Sequence, residues 1–195
     1  MRPLAAVLAL LIAGCVSTSN MPPLQYYVLA DLGTASDAHR ASERGRALLV
    51  HPASVNAFYD TQRLVYSRAD GQRAYYQFAA WTERPARAFS DLLSQRLGAA
   101  LTTSGVRGDL ILQTRLEELY HDARAKPGAV NITVSAELVD AAGRRIGERR
   151  FSRSVPAAEE NAAAAVAAAN RAVTELLDDI AAWLDGYASS RSARA

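Results

Sequence analysis

Leu110-Ile111-Leu112-Gln113-Thr114-Arg115-Leu116-Glu117 alternates, side by side, between a more apolar and a wetter set of positions. The pattern returns in Val130-Asn131-Ile132-Thr133-Val134-Ser135-Ala136-Glu137-Leu138. A period of two places successive side chains on opposite faces, so both stretches read as half-buried antiparallel strands with one wetter face. Asp140 to Gly143 turns the chain into Arg144–Val155, whose Arg149, Arg150 and Arg153 suit the edge of a sheet.

Upstream, Leu64–Arg68 and Arg73–Trp81 form a hairpin across Ala69-Asp70-Gly71-Gln72, where Asp-Gly supplies the positive φ that a tight turn requires. Gln25–Ala30 reads as a first strand and Asp31–Gly45 as a polar loop. Arg46–Val55 is a second strand interrupted at Pro52, which cannot donate to a ladder. The period becomes helical from Pro85 to about Thr103. Phe89, Leu92, Leu93, Arg96, Leu97, Ala100 and Leu101 share one side, and Gly105 and Gly108 are read as the stop. An Ala-rich helix follows Pro156 to about Asp185, its apolar line running through Val166, Ala169, Val173, Leu176, Leu177, Ile180 and Leu184. The order is therefore four strands, a helix, three strands and a helix. Without strand–helix–strand alternation, it predicts an α+β two-layer sandwich: a mainly antiparallel sheet of about six to seven strands with two helices packed on one face.

The N-terminus carries its own message. Met1 and Arg2 precede an apolar run, Leu4–Ala13, of about ten residues, too short for a bilayer that needs roughly 20. Leu11-Ile12-Ala13-Gly14-Cys15 closes that run, contains the only cysteine of the chain and resembles the lipobox of bacterial lipoproteins. A thiol is the natural nucleophile for taking up a lipid, and with one cysteine no internal disulfide is available. The expected layout is a signal peptide over 1–14, a lipidated Cys15 with a short tether over 15–24, one α+β domain over 25–186 and a disordered tail over 187–195. The tether reaches at most ~35 Å, so the domain stays near its membrane. Val16 follows Cys15. In bacterial lipoprotein sorting Asp at this position retains the protein in the inner membrane, so Val16 points to the outer membrane.

A net charge of +2 argues against nucleic acid as a partner. There is no GxxxxGK[ST], HExxH, GxSxG or paired Cys/His set, so no enzyme activity and no catalytic or metal-binding residue is expected. His51 near Asp60, or His121 beside Glu118 and Asp122, could be drawn as an acid–base pair; solvated polar residues at strand ends is the simpler reading. Tyr75-Tyr76-Gln77-Phe78-Ala79-Ala80-Trp81 is the most unusual remaining stretch. In a regular strand Tyr76 and Phe78 face one side while Tyr75 and Trp81 face the other. One set fills the core, and the other is either covered or a partner-binding stripe, for which Tyr75 and Trp81 are the candidates.

Tyr26-Tyr27-Val28-Leu29, then Leu48-Leu49-Val50-His51-Pro52, then Tyr59-Asp60-Thr61-Gln62-Arg63-Leu64-Val65-Tyr66, then Tyr75–Trp81 with Pro85, occur in this order. Together they resemble the ABC-type transport auxiliary lipoproteins, the PqiC-like group, over nearly the whole chain after Cys15. The resemblance implies a non-enzymatic periplasmic accessory held at the outer membrane by a covalent lipid on Cys15, with no other cofactor. Its partners would be an MCE-domain protein with an ABC permease and ATPase that move lipid between the two membranes. Two other functions compete with this reading: a lipoprotein regulating cell-wall synthesis or envelope assembly, whose reach the short tether does not provide, and a periplasmic hydrolase, which lacks a nucleophile–base pair.

Overall fold

A computed structural model describes residues 21–33 and 47–192, with side chains as far as Tyr187. The expected signal segment, Cys15 and Val16 lie outside the described residues, as does His39. The elements are β1 (Gln25–Tyr27), β2 (Leu48–Val50), β3 (Ser54–Val55), β4 (Arg63–Ser67), β5 (Ala74–Trp81), α1 (Pro85–Leu97), β6 (Ala100–Leu101), β7 (Leu110–Asp122), β8 (Ala129–Asp140), β9 (Arg145–Pro156) and α2 (Ala162–Ser192).

The class is α+β, but the sheet corrects the expectation: its nine strands form a curled, mixed sheet rather than a mainly antiparallel one of six or seven. β7 is the spine. One of its edges takes β8 antiparallel along nearly its whole length, and β8 takes β9 in the same way. Its other edge is tiled by three short strands, all parallel to it: β2 at Leu110–Leu112, β3 at Arg115–Leu116 and β4 at His121–Asp122. Parallel neighbours require a crossover, which here is the passage through α1 that separates β2–β5 from β7. The path continues from β4 to β5 as the expected hairpin, and β1 is added parallel to β5 at the end. Pro52 splits the predicted strand 46–55 into β2 and β3.

β7 carries one extra residue, Glu117, between the Leu116–Val134 and Glu118–Thr133 pairs. A one-residue bulge reverses which side chains point inward. Leu112, Thr114 and Leu116 are buried before it, Leu119 and His121 after it. α1 also ends sooner than the pattern predicts. Gly98 adopts φ 58°, and Gly98 and Ala99 donate back to the carbonyls of Gln95 and Ser94. Glycine enters this left-handed cap at no steric cost, and the chain leaves the helix six residues before the expected end at Thr103 to form β6. At the other end of the chain, α2 runs on to Ser192, through most of the stretch expected to be a tail.

α2 packs on β8 and β9 and touches α1, which lies against β2 and β6. Ala165, Ala168, Ala169 and Ala172 bring its backbone close to the sheet, and Val173, Leu176, Leu177 and Ile180 fill the centre beside Phe89 and Leu93 of α1. Among the described residues no helix is long and apolar enough to cross a membrane.

The segment after β1 is fastened to both helices by polar bonds. The Ala30 N–H donates to Asn170 Oδ1 (3.0 Å), the Leu32 N–H to Thr174 Oγ1 (2.8 Å), and Asn170 Nδ2 to the Val28 carbonyl (3.4 Å). Arg96, on the apolar side of α1, grips Asp31 with two donors, Nε to Oδ2 at 2.8 Å and Nη2 to Oδ1, and pairs through Nη1 with Asp178 of α2. Gly33 closes over this guanidinium: a Cβ there would lie 1.9 Å from Nη2. A side chain at this position would push the guanidinium out of its place on Asp31.

Candidate functional site

β1 covers only one end of β5. Gln25, Tyr26 and Tyr27 lie opposite Ala79, Ala80 and Trp81, and Pro22 and Pro23 just upstream have no N–H to extend the ladder. On the other edge of β5 the register jumps: between the Val65–Tyr75 and Arg63–Ala80 pairs, Leu64 alone faces Tyr76–Ala79. Tyr76, Gln77 and Phe78 therefore have no partner in register on either neighbour among the described residues. Their strand lines a cleft of about 550 Å³, closed by Pro22 and Pro23, by Tyr66 and Arg68 of the hairpin, and by Glu160 before α2.

The aromatic side of the cleft is tightly ordered. Tyr66 and Tyr76 meet edge to face with centroids 5.0 Å apart, and the Arg68 guanidinium lies 5.1 Å from the Tyr66 ring centre. The Tyr76 hydroxyl is 2.7 Å from His121 Nδ1, and His121 Nε2 is 3.0 Å from the Pro127 carbonyl. A carbonyl only accepts, so the neutral imidazole carries its proton on Nε2 and Nδ1 accepts from the phenol. Burial pushes the Tyr76 phenol above its ordinary value, further from ionisation.

This geometry separates the acid–base pairs that could be drawn from the sequence. Both ring nitrogens of the buried His121 are occupied, Glu118 is paired with Arg73 at 3.3 Å, and Asp122 is held by Arg124. Asp60 faces Arg84 at 3.4 Å, and His51 is exposed, its backbone N–H bonded to the Leu112 carbonyl. Among the described residues no group of three His, Cys, Asp or Glu could hold a metal ion. What the cleft offers is a binding surface of rings, an arginine and a carboxylate.

Tyr75 and Trp81, the two residues proposed from the sequence as one stripe, are set apart. Trp81 is buried in the core with Leu64, Ala79 and Phe89. Tyr75 is half-buried away from it, stacked on Phe58 (centroids 5.0 Å, interplanar angle 8°), with the Arg63 guanidinium 4.8 Å from its ring centre. The cause is the bulge: four residues of β5 opposite one of β4 add an odd number of positions, which reverses the alternation. Tyr76 and Trp81, not Tyr75 and Trp81, therefore share the core side. Tyr75→Ala should cost only about 1–2 kcal/mol in chemical denaturation, the loss of one stacked pair and one cation–π contact at a partly solvated site.

Asp31, Arg96, Asn170 and Thr174 were not singled out by sequence reasoning. The one available signal was Arg96 itself, a charge on the apolar side of a helix, which demands a buried partner.

The chain matches the model of the ABC-type transport auxiliary lipoprotein component over residues 27–181. No curated protein matches it. Among solved structures it is similar to protein XCC0632 from Xanthomonas campestris, at 19% identity and a TM-score of 0.74 over 86% of this chain and 98% of that one. It is similar also to an uncharacterized protein (18% identity, TM-score 0.66, 84% of this chain and 99% of that one). The hypothetical protein CT253 from Chlamydia trachomatis follows at 11% identity and a TM-score of 0.52, over 75% of this chain and 99% of that one. At these identities the likeness is one of fold.

Proposed function

Because the chain belongs to the ABC-type transport auxiliary lipoprotein component family, we propose that it is the lipid-anchored, periplasmic docking component of an MCE-linked system that moves lipid between the inner and outer membranes. The observation that carries this reading is the family match from the end of β1 well into α2. The site is consistent with it: a surface cleft of aromatic and polar side chains, with His121 locked by two hydrogen bonds, suits binding better than turnover. Cys15 would carry the lipid and Val16 would direct sorting to the outer membrane, with the domain on its periplasmic face.

Two substitutions test the anchor. Cys15→Ser should leave precursor or released protein, since it removes the thiol that takes up the lipid and stable membrane attachment needs more than one acyl chain. Intact-mass spectrometry of the membrane fraction should show acylated Cys15 as the first residue in the wild type; an unmodified Cys15 there overturns the reading. Val16→Asp should move the protein to the inner-membrane fraction of a density gradient. Cross-linking of the wild type in whole cells should capture an MCE-domain protein, and its failure with any MCE component rejects the proposed partnership.

A further inference from the structure

Residues 21–33 read Met-Pro-Pro-Leu-Gln-Tyr-Tyr-Val-Leu-Ala-Asp-Leu-Gly. Met21, Leu24, Tyr26, Val28 and Leu32 are each between 48% and 62% exposed, and among the described residues the only other exposed large apolar side chains are Phe58 and Val106. Leu24, Tyr26 and Val28 alternate along extended chain and so project from one face, while Leu29 turns into the core. The single ionisable carboxylate of the stretch, Asp31, is turned inward onto Arg96 with its side chain only 15% exposed. The segment therefore shows solvent an apolar strip free of charge.

This strip is neither loose nor accidental edge. Asn170, Thr174 and Arg96 clamp its backbone and its carboxylate to the helices, so the outward side chains are held in place. The contrast with the other side of the sheet is direct. β9, which pairs only with β8, carries Arg145, Glu148, Arg149, Arg150 and Arg153, as an edge facing water should. β1, which pairs only with β5, carries none.

We propose that residues 21–32 are a membrane-seating ledge, which rests on the phospholipid interface of the membrane that holds the lipid of Cys15. Leu24, Tyr26 and Val28 enter the headgroup and upper acyl layer, flanked by Met21 and Leu32. The inference rests on the lipoprotein reading of Cys15 and deepens it, since it assigns the domain an orientation on its membrane. Chain length selects this occupant. Met21 stands six positions after Cys15, a reach of at most ~22 Å, so a bilayer is the one surface that the ledge always has within range. Held that close, it meets the interface at high effective concentration. Tyrosine is a side chain favoured at headgroup level, apolar in its ring and polar at its tip.

The test uses the full-length acylated protein carrying Tyr26→Trp, reconstituted in vesicles of phosphatidylethanolamine and phosphatidylglycerol. The parent protein provides the background of Trp81 and Trp183. The new indole should be blue-shifted and quenched by phospholipids brominated near the headgroup end of the acyl chains. Adding Val28→Asp should abolish that quenching while the acylated mass at Cys15 is unchanged. An emission typical of water in the vesicles overturns the ledge. So does a blue shift that brominated lipid does not quench, because the strip is then covered by a second copy or another protein. Intact mass separates the two levels: acylated but unquenched protein rejects the ledge alone, whereas absence of acyl chains rejects the anchor and the ledge with it.

Discussion

Arg96→Ala is expected to destabilise the domain by about 3 kcal/mol, the lower end of the cost of breaking a buried ion pair by removing one partner. The side chain is 3% exposed and connects three elements: α1 on which it stands, Asp31 after β1, and Asp178 of α2. Its loss leaves Asp31 enclosed without a counter-charge, whereas Asp178, 59% exposed, recovers water, which keeps the estimate at the lower end. Arg96→Lys should recover only part of the loss, since an ammonium cannot reproduce the fork that holds both oxygens of Asp31. Arg96→Met combined with Asp31→Asn should be milder than Arg96→Met alone, because both charges leave together.

The pH dependence has a defined sign. Burial pushes the Asp31 carboxyl up, but the Arg96 hydrogen bonds, the Gly33 N–H and the Arg96 charge outweigh it and hold the group below its ordinary value. A carboxylate lowered on folding contributes stability that is present above its unfolded value and lost as pH falls through the folded one. The wild type should therefore lose stability more steeply than Arg96→Met as pH drops below about 4. Melting temperatures measured across that range check this, and parallel curves for the two proteins would show that the pair contributes nothing.

Trp81→Ala should cost about 3–5 kcal/mol, the usual range for deleting a large aromatic side chain from a core. Trp81 is 5% exposed, and the backbone at its position is tied on both sides: its N–H donates to the Gln62 carbonyl at 2.6 Å, and the N–H of Thr82 to the Tyr27 carbonyl at 2.8 Å. Those bonds survive the substitution, so the loss is one of packing and appears as a lower midpoint in denaturant with little change in slope. Tyr75→Ala, six residues earlier, is the matched control with its smaller effect. A Trp81→Ala domain with unchanged stability and weakened partner capture would return the residue to an interface role and would contradict its place in the core.

The alternation over 110–117 and 130–138 was sufficient to identify β7 and β8, and the charges of 144–155 to place β9 at an edge. The hairpin across Gly71 and both helices were likewise legible, because each is specified by near neighbours: a period, a turn residue, a proline in the first helical turn. Cys15 and Val16, read from the same kind of local pattern, lie outside the described residues and remain for the mass and sorting experiments. The end of α1 is written locally in Gly98, whereas Gly105 and Gly108 lie beyond the helix.

What local pattern could not supply was everything that depends on one segment meeting another far along the chain. β2, β3 and β1 have two or three residues each, too few to reveal a partner or a direction, and their parallel alignment with β7 and β5 is set by crossovers. The bulges at Glu117 and at Tyr76–Ala79 are mismatches between two strands, a property that neither strand has alone. They turned His121 inward, sent Trp81 to the core and left Tyr75 on Phe58. The clasp of Arg96 on Asp31 joins residues 65 positions apart, and only the closed fold showed that the carboxylate faces inward while its apolar neighbours face out. The sequence by itself determined the class of the domain, its long strands and helices, and its family likeness, because these rest on spacing within one element. Tertiary structure decided the strand directions, the fate of the aromatic stripe and the exposed ledge, because desolvation and pairing are settled only where distant segments pack together.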